Sequence, residues 1–313
     1  TSHAEASSPD TRQQHAASEP DDRRSRSPGR RYTDRTDQGG ARRDRGENPV
    51  MEEPGDARAE SNPFQLDPDL YPWLCQLGQN LSESAFLHGF DPVVGRDDEI
   101  EQTIDILHKR RSNNPCLLGD PGVGKTAVVE GVVTDMVKTA MSQAQQNPRI
   151  VIQIDVGSIL SGTHLRGALA ERLRGLQDEV RQAAGQVVVF IDELHTLVGG
   201  GGGDSGHDAG NELKAALARG DFPCIGATTV EEYRKYVELD AALERRFSPV
   251  HVAEPSQENT LLIVTELATR YGEHHGVEYT ADALSAATRM SRRYLHERRD
   301  PDRTLSVLDL AGA

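Results

Sequence analysis

The sequence predicts an α/β domain with a parallel sheet, followed by a small helical domain. Three observations carry that reading. Short apolar, β-branched runs alternate with segments of helical periodicity. The strand signal stops after Pro255 while helical segments continue. Between the strand Cys116-Leu117-Leu118 and an apolar-faced helix lies a glycine-rich loop.

Residues 1–61 contain no Leu, Ile or Phe and carry 11 Arg against 13 acidic residues. Such a segment cannot bury enough apolar surface to offset the entropy of ordering its backbone, so a disordered polar tail is expected. Its Arg-rich patches, Arg23-Arg24-Ser25-Arg26 and Arg42-Arg43-Asp44-Arg45, are diluted by aspartates and read as a solvated polyampholyte rather than a nucleic-acid contact. The opening residue is Thr1 rather than Met, so a processed or cropped start is expected, with Met51 as an alternative one.

The folded part then runs in order. Ile100, Ile104 and Leu107 share one helical face. After the glycine loop, Val128, Val129, Val132, Val133 and Met136 mark a second helix. Ile150–Ile154 reads as a strand, and the segment after Leu165 as a helix to about Ala184. Val187–Ile191 is continuous and β-branched, as expected of a central strand buried on both faces. Leu213, Ala216 and Leu217 indicate another helix, Phe222–Ala227 another strand, and Leu261–Tyr271 and Ala281–Tyr294 the helices of the second domain.

Composition narrows the function. The chain has 313 residues and a formal charge of −15, which argues against a generic nucleic-acid binder, whose affinity comes from neutralising phosphates. Cys75, Cys116 and Cys224 are far apart and fit neither a disulfide framework nor a zinc pattern. With no signal-like or membrane-length apolar run, a cytoplasmic protein without membrane contact is expected.

Gly119-Asp120-Pro121-Gly122-Val123-Gly124-Lys125-Thr126 matches the phosphate-binding loop G-x-x-x-x-G-K-[ST]. Glycines let the backbone wrap so that its N–H groups face the phosphates, aided by the positive end of the following helix. Lys125 is expected to reach the β- and γ-phosphates and the Thr126 hydroxyl to ligate magnesium. Val187–Ile191 ends in Asp192-Glu193, which puts carboxylates at the sheet edge where ligands of such folds bind. Asp192 is expected to hold magnesium and Glu193 to activate the attacking water. His195 is read as packing beside the site. Ile225-Gly226-Ala227-Thr228-Thr229 ends a strand in hydroxyls able to sense a γ-phosphate, though Thr at a strand end is commonly structural. Arg245 and Arg246 read either as surface charge or as fingers that stabilise phosphoryl transfer.

These words in this order, with Phe90–Asp97 before them, Asp208-Ala209-Gly210-Asn211 between and Ala242-Leu243-Glu244-Arg245-Arg246-Phe247 after, resemble the first ATPase module of Clp-type AAA+ unfoldases and disaggregases. The resemblance spans about Leu81 to Leu310. It implies a five-stranded parallel AAA+ domain over 62–254, a small helical lid over 255–313 that stops short of the family's length, and a homo-hexameric ring. It also places Val93 and Val94 by the adenine, Thr229 at the sensor-one position, Arg245 and Arg246 as fingers acting on a neighbouring subunit's ATP, and Arg303 at the sensor-two position. The expected ligands are ATP and Mg2+. One departure bears on function: Leu165 stands where the pore-lining aromatic of threading relatives is expected. Gly199–Gly203 aligns with a second pore loop or serves only as a flexible link. The leading expectation is ATP-driven remodelling of protein substrates; the alternative is a non-threading ATPase switch acting on a partner complex.

Overall fold

The computed structural model describes residues 62–160, 168–199, 214–217, 219–220 and 222–313. The expected tail 1–61, the loop carrying Leu165, Gly200–Gly203, the word Asp208–Asn211 and Leu213 lie outside the described residues.

Among the described residues six strands form one sheet: β1 (Gly78–Asn80), β2 (Asn114–Leu118), β3 (Ile150–Ile154), β4 (Val187–Ile191), β5 (Cys224–Thr228) and β6 (Phe247–His251). Their order is β1-β3-β4-β5-β2-β6. The five strands β2 to β6 run parallel, as the resemblance implies. The sixth, β1, is an addition to that expectation. It pairs antiparallel with β3, Gly78 opposite Ile154, and covers the open edge that β3 would otherwise present. Asn80, at its end, donates to the Phe64 carbonyl at 2.7 Å and caps the next helix by accepting from the Glu83 N–H at 3.0 Å.

β4 is apolar and largely β-branched, as suits a strand buried on both faces, and every residue of β2 and β5 is buried as well. β2 starts earlier than its apolar residues suggest, because buried Asn114 is satisfied: its Oδ1 accepts from the Cys224 N–H at 3.2 Å. Helix Lys125–Ser142 lays Val128, Val129, Val132 and Val133 against the sheet. In helix Asp97–Leu107 the most deeply buried residues are Thr103, Ile106 and Leu107, with Ile100 and Ile104 packed at the margin of the core. Residues 214–217 are helical, with Ala216 and Leu217 buried.

After β6 the chain forms three helices, Gln257–His275, Ala281–Tyr294 and Asp302–Gly312. The first two are capped by Ser256 and Thr280, whose hydroxyls accept from the Asn259 and Ala283 N–H groups. Their apolar core is small: Val264, Leu284 and Leu308, with flanking residues such as Leu305 and Tyr279. Beside it lies a buried polar cluster. Asp300 accepts from the Arg303 guanidinium and from the Thr304 hydroxyl at 2.7 Å, and the Ser291 and Thr304 hydroxyls lie 2.8 Å apart. The three cysteines are free, Cys116 and Cys224 buried in the sheet and Cys75 exposed. Among the described residues no helix is long and apolar enough to cross a membrane.

Candidate functional site

The loop Gly119–Thr126 leaves β2 at the carboxyl edge of the sheet and turns directly into helix Lys125–Ser142. Gly122 and Gly124 have φ of 83° and 96°, values that strain any side-chain-bearing residue. Among the described residues no protein acceptor is bonded to the N–H groups of Gly122, Val123 or Gly124. Unsatisfied N–H groups in successive turns at a helix start are a nest for an anion. Lys125 Nζ donates to the Gly119 and Asp120 carbonyls at 3.0 and 3.1 Å, folding over the loop. Burial pulls the Lys125 pKa below its ordinary value, although Asp192, Asp120, Glu232 and Glu193 oppose that shift. The donor set therefore fits a polyphosphate: a lysine folded over the loop by two backbone carbonyls and a backbone with free donors.

β4 delivers Asp192 and Glu193 to the same edge. Asp192 Oδ1 accepts from the Glu193 N–H at 3.0 Å. Glu193 has φ 55°, in the left-handed region, and starts the short helix Leu194–Val198. A non-glycine residue held there is strained, and such strain clusters at functional sites.

β5 ends in Thr228 and Thr229, and here the structure adds a residue that the sequence reading missed. Glu232 Oε2 accepts from the Thr228 hydroxyl at 3.0 Å, the Thr229 hydroxyl at 2.8 Å and the Thr229 N–H at 3.2 Å. The Thr229 hydroxyl in turn accepts from the Glu232 N–H, closing a capping box at helix Val230–Tyr233. Thr-x-x-Glu ahead of a helix is the signal that could have revealed it. Burial raises the Glu232 pKa, but the hydrogen bonds from Thr229 and Thr228 and nearby His195 outweigh it, and the carboxyl sits below its ordinary value. His195 does more than pack: its Nδ1 lies 3.1 Å from both Thr228 Oγ1 and Glu232 Oε2.

These groups line one cleft of about 590 Å3, the size of a small-molecule site. It gathers Val93 and Val94, the loop residues Pro121, Gly122, Val123, Gly124, Lys125 and Thr126, the carboxylates Asp192 and Glu193, and Thr229. Ile263, Leu267, Tyr271 and Asp302 of the helical part close another side. Gly119 and Asp120 belong to the loop but do not face the cleft; the Asp120 carboxylate is paired with Arg299 at 2.8 Å.

Arg303, expected at the sensor-two position, is not among the residues that line this cleft. It is buried. Its guanidinium is committed to Asp300, to Glu254 at 2.9 Å and to the Leu295 and Arg298 carbonyls, because a buried charge requires partners. Arg245 and Arg246 also lie away from the cleft, together with Arg111 and Ala242 around a separate hollow of about 450 Å3. Arg246 donates to the Arg219 carbonyl at 3.1 Å.

Comparison with known proteins accords with this geometry. Residues 115–254 match the ATPase family associated with various cellular activities (AAA), and residues 256–313 match the AAA lid domain. The chaperone protein ClpB of Clostridium tetani is 42% identical over 273 residues, 87% of this chain and 31% of that protein. The negative regulator of genetic competence ClpC/MecB of Bacillus subtilis is 46% identical over 242 residues, 77% of this chain and 30% of that protein. The Saccharomyces cerevisiae Hsp104:casein complex superposes with TM-score 0.68 at 39% identity, covering 77% of this chain and 41% of the Hsp104 chain. The chain thus spans under a third of the length of these two relatives. The chain therefore carries an AAA domain followed by an AAA lid domain, and its homologues are Clp-type AAA+ ATPases.

Proposed function

We propose that this chain hydrolyses ATP with Mg2+ and uses the energy to remodel or unfold protein substrates within a homo-hexameric ring. One observation carries the proposal: Lys125, Thr126, Asp192 and Glu193 converge on a single cleft beside donors with no partner. Thr126 and Asp192 hold the metal, whose charge when bound offsets that of the phosphates. Lys125 and the loop N–H groups bind the phosphates, and Glu193 orients and deprotonates the attacking water. Thr229 and Thr228, fixed by Glu232, form the hydroxyl wall opposite. Val93 and Val94 supply the apolar edge for the base. Residues 62–254 act as the nucleotide-binding domain and 255–313 as its lid, with 1–61 as a polar tail in a cytoplasmic protein.

Arg245 and Arg246 are assigned to a neighbouring subunit's nucleotide. Their distance from the cleft of their own chain supports that assignment, since a finger acting in trans must sit on the opposite flank. Arg303 serves by fixing the lid rather than by touching nucleotide. The casein in the Hsp104 complex supports a polypeptide substrate.

Magnesium-dependent phosphate release from ATP is the direct test, and its absence from the purified chain overturns the proposal. Sedimentation with a slowly hydrolysed ATP analogue is expected to give a hexamer. Leu165, in place of an aromatic, favours a second reading as a non-threading switch. Unfolding activity that survives Leu165→Ala removes that loop from the threading mechanism.

A further inference from the structure

Arg96 borders the cleft but has no role in the chemistry above. Its side chain is only 8% exposed, and its bonds reach three separate segments. Nη1 donates to Glu99 Oε1 at 2.7 Å. Nη2 donates to the Val123 carbonyl in the phosphate loop and to the Ala253 carbonyl between β6 and the lid, each at 2.8 Å. Both hydrogens of one nitrogen are thereby spent on carbonyls far apart in sequence.

The Val123 carbonyl is a sensitive place for such a bond. Val123 lies between Gly122 and Gly124, both at positive φ, so the peptide joining Val123 to Gly124 meets little steric resistance to rotation. Rotated, it would turn a carbonyl oxygen toward the anion nest and remove the Gly124 N–H from it, replacing attraction by repulsion. A charge-assisted bond from a buried, planar guanidinium holds the oxygen outward. The second bond, to Ala253, anchors that guanidinium to the segment leading into the lid, while Glu99 neutralises it.

We infer that Arg96 is a positioning residue for polyphosphate binding: it fixes the Val123–Gly124 peptide with its N–H inward and ties the phosphate loop to the lid hinge. This rests on the nucleotide reading and deepens it. Losing one charge-assisted bond corresponds to roughly a tenfold to hundredfold loss of affinity.

Calorimetric titration of the full chain with ADP tests it. For Arg96→Ala the dissociation constant is expected to rise tenfold to hundredfold with one site per chain retained. For Arg96→Lys, which keeps the charge but cannot span both carbonyls, it should rise less. A merely structural role would instead lower the number of sites at an unchanged dissociation constant, and that result overturns the inference. If Arg96→Ala does not fold, Arg96→Lys decides alone, wild-type affinity counting against. Failure of the wild-type chain to bind ADP sinks the nucleotide reading itself, whereas wild-type binding with an unaffected Arg96→Ala sinks only this inference.

Discussion

In the sheet domain every residue of β2, β4 and β5 is buried and a single apolar cluster runs from Phe64 to Val252. In the lid, the buried apolar cluster is Val264, Leu284 and Leu308, and Asp300, Arg303, Thr304 and Ser291 are buried as well. Apolar burial is non-directional and makes a rigid scaffold, as the three strand ends that reach the cleft require. A buried polar cluster depends on particular bond directions, so it specifies one lid arrangement and is sensitive to each partner. The cleft therefore has one wall set by packing and another set by hydrogen bonds.

The largest effect belongs to the scaffold. Lys125→Ala is expected to weaken ADP binding by on the order of a thousandfold with unchanged circular dichroism, because one cation is removed while the sheet stays intact. Retained tight binding in a fluorescent-nucleotide titration would refute the assignment of the loop. Next, Glu193→Gln should hold ATP while turnover falls about 10²- to 10⁴-fold in a phosphate-release assay. A mutant that turns over normally would remove Glu193 from the chemistry.

The lid provides the sharper contrast. Asp300→Ala leaves the Arg303 charge without its nearest partner in a buried site, and should cost about 3–5 kcal/mol in urea unfolding. Leu284→Ala removes one of the few apolar core residues, yet three helices can close over the gap, so a loss of about 2 kcal/mol is expected, at the low end for such a change. If the leucine substitution proves the more damaging, the lid is held by apolar packing and the comparison breaks. Smallest of all, Arg299→Ala should cost below about 1 kcal/mol, although Arg299 bridges Asp120 and Glu254, because it is half exposed to solvent.

Strands β2 to β5 were legible because short apolar runs, β-branched in β3 and β4, are a local signal. β1 was not, since Gly78-Gln79-Asn80 has no apolar pattern and pairs only because β3 offers an open edge. β6 was hidden for a related reason: Pro249 weakens any strand reading, and it is tolerated here because β6 lies at the edge of the sheet. At the site, loop and carboxylates could be read from spacing alone. Arg303 could not, because whether it faces the cleft depends on Asp300 and Glu254 competing for it. Arg96 was equally opaque: its partners Val123 and Ala253 lie 27 and 157 residues away.

The three cysteines form a built-in clock. Cys75 is the one exposed thiol in a chain with three cysteines. Burial, then the carboxylates of Glu179, Glu83 and Asp67, raise its pKa, so alkylation should be slow near neutral pH and quicken only as the pH rises above the ordinary thiol range. Cys116 and Cys224 are held as thiols by burial, inside adjacent strands. At alkaline pH one equivalent of reagent should therefore be consumed first, at exposed Cys75, and two more only as the sheet opens. Mass spectrometry of timed samples would then count sheet openings in the unmodified sequence, with and without nucleotide.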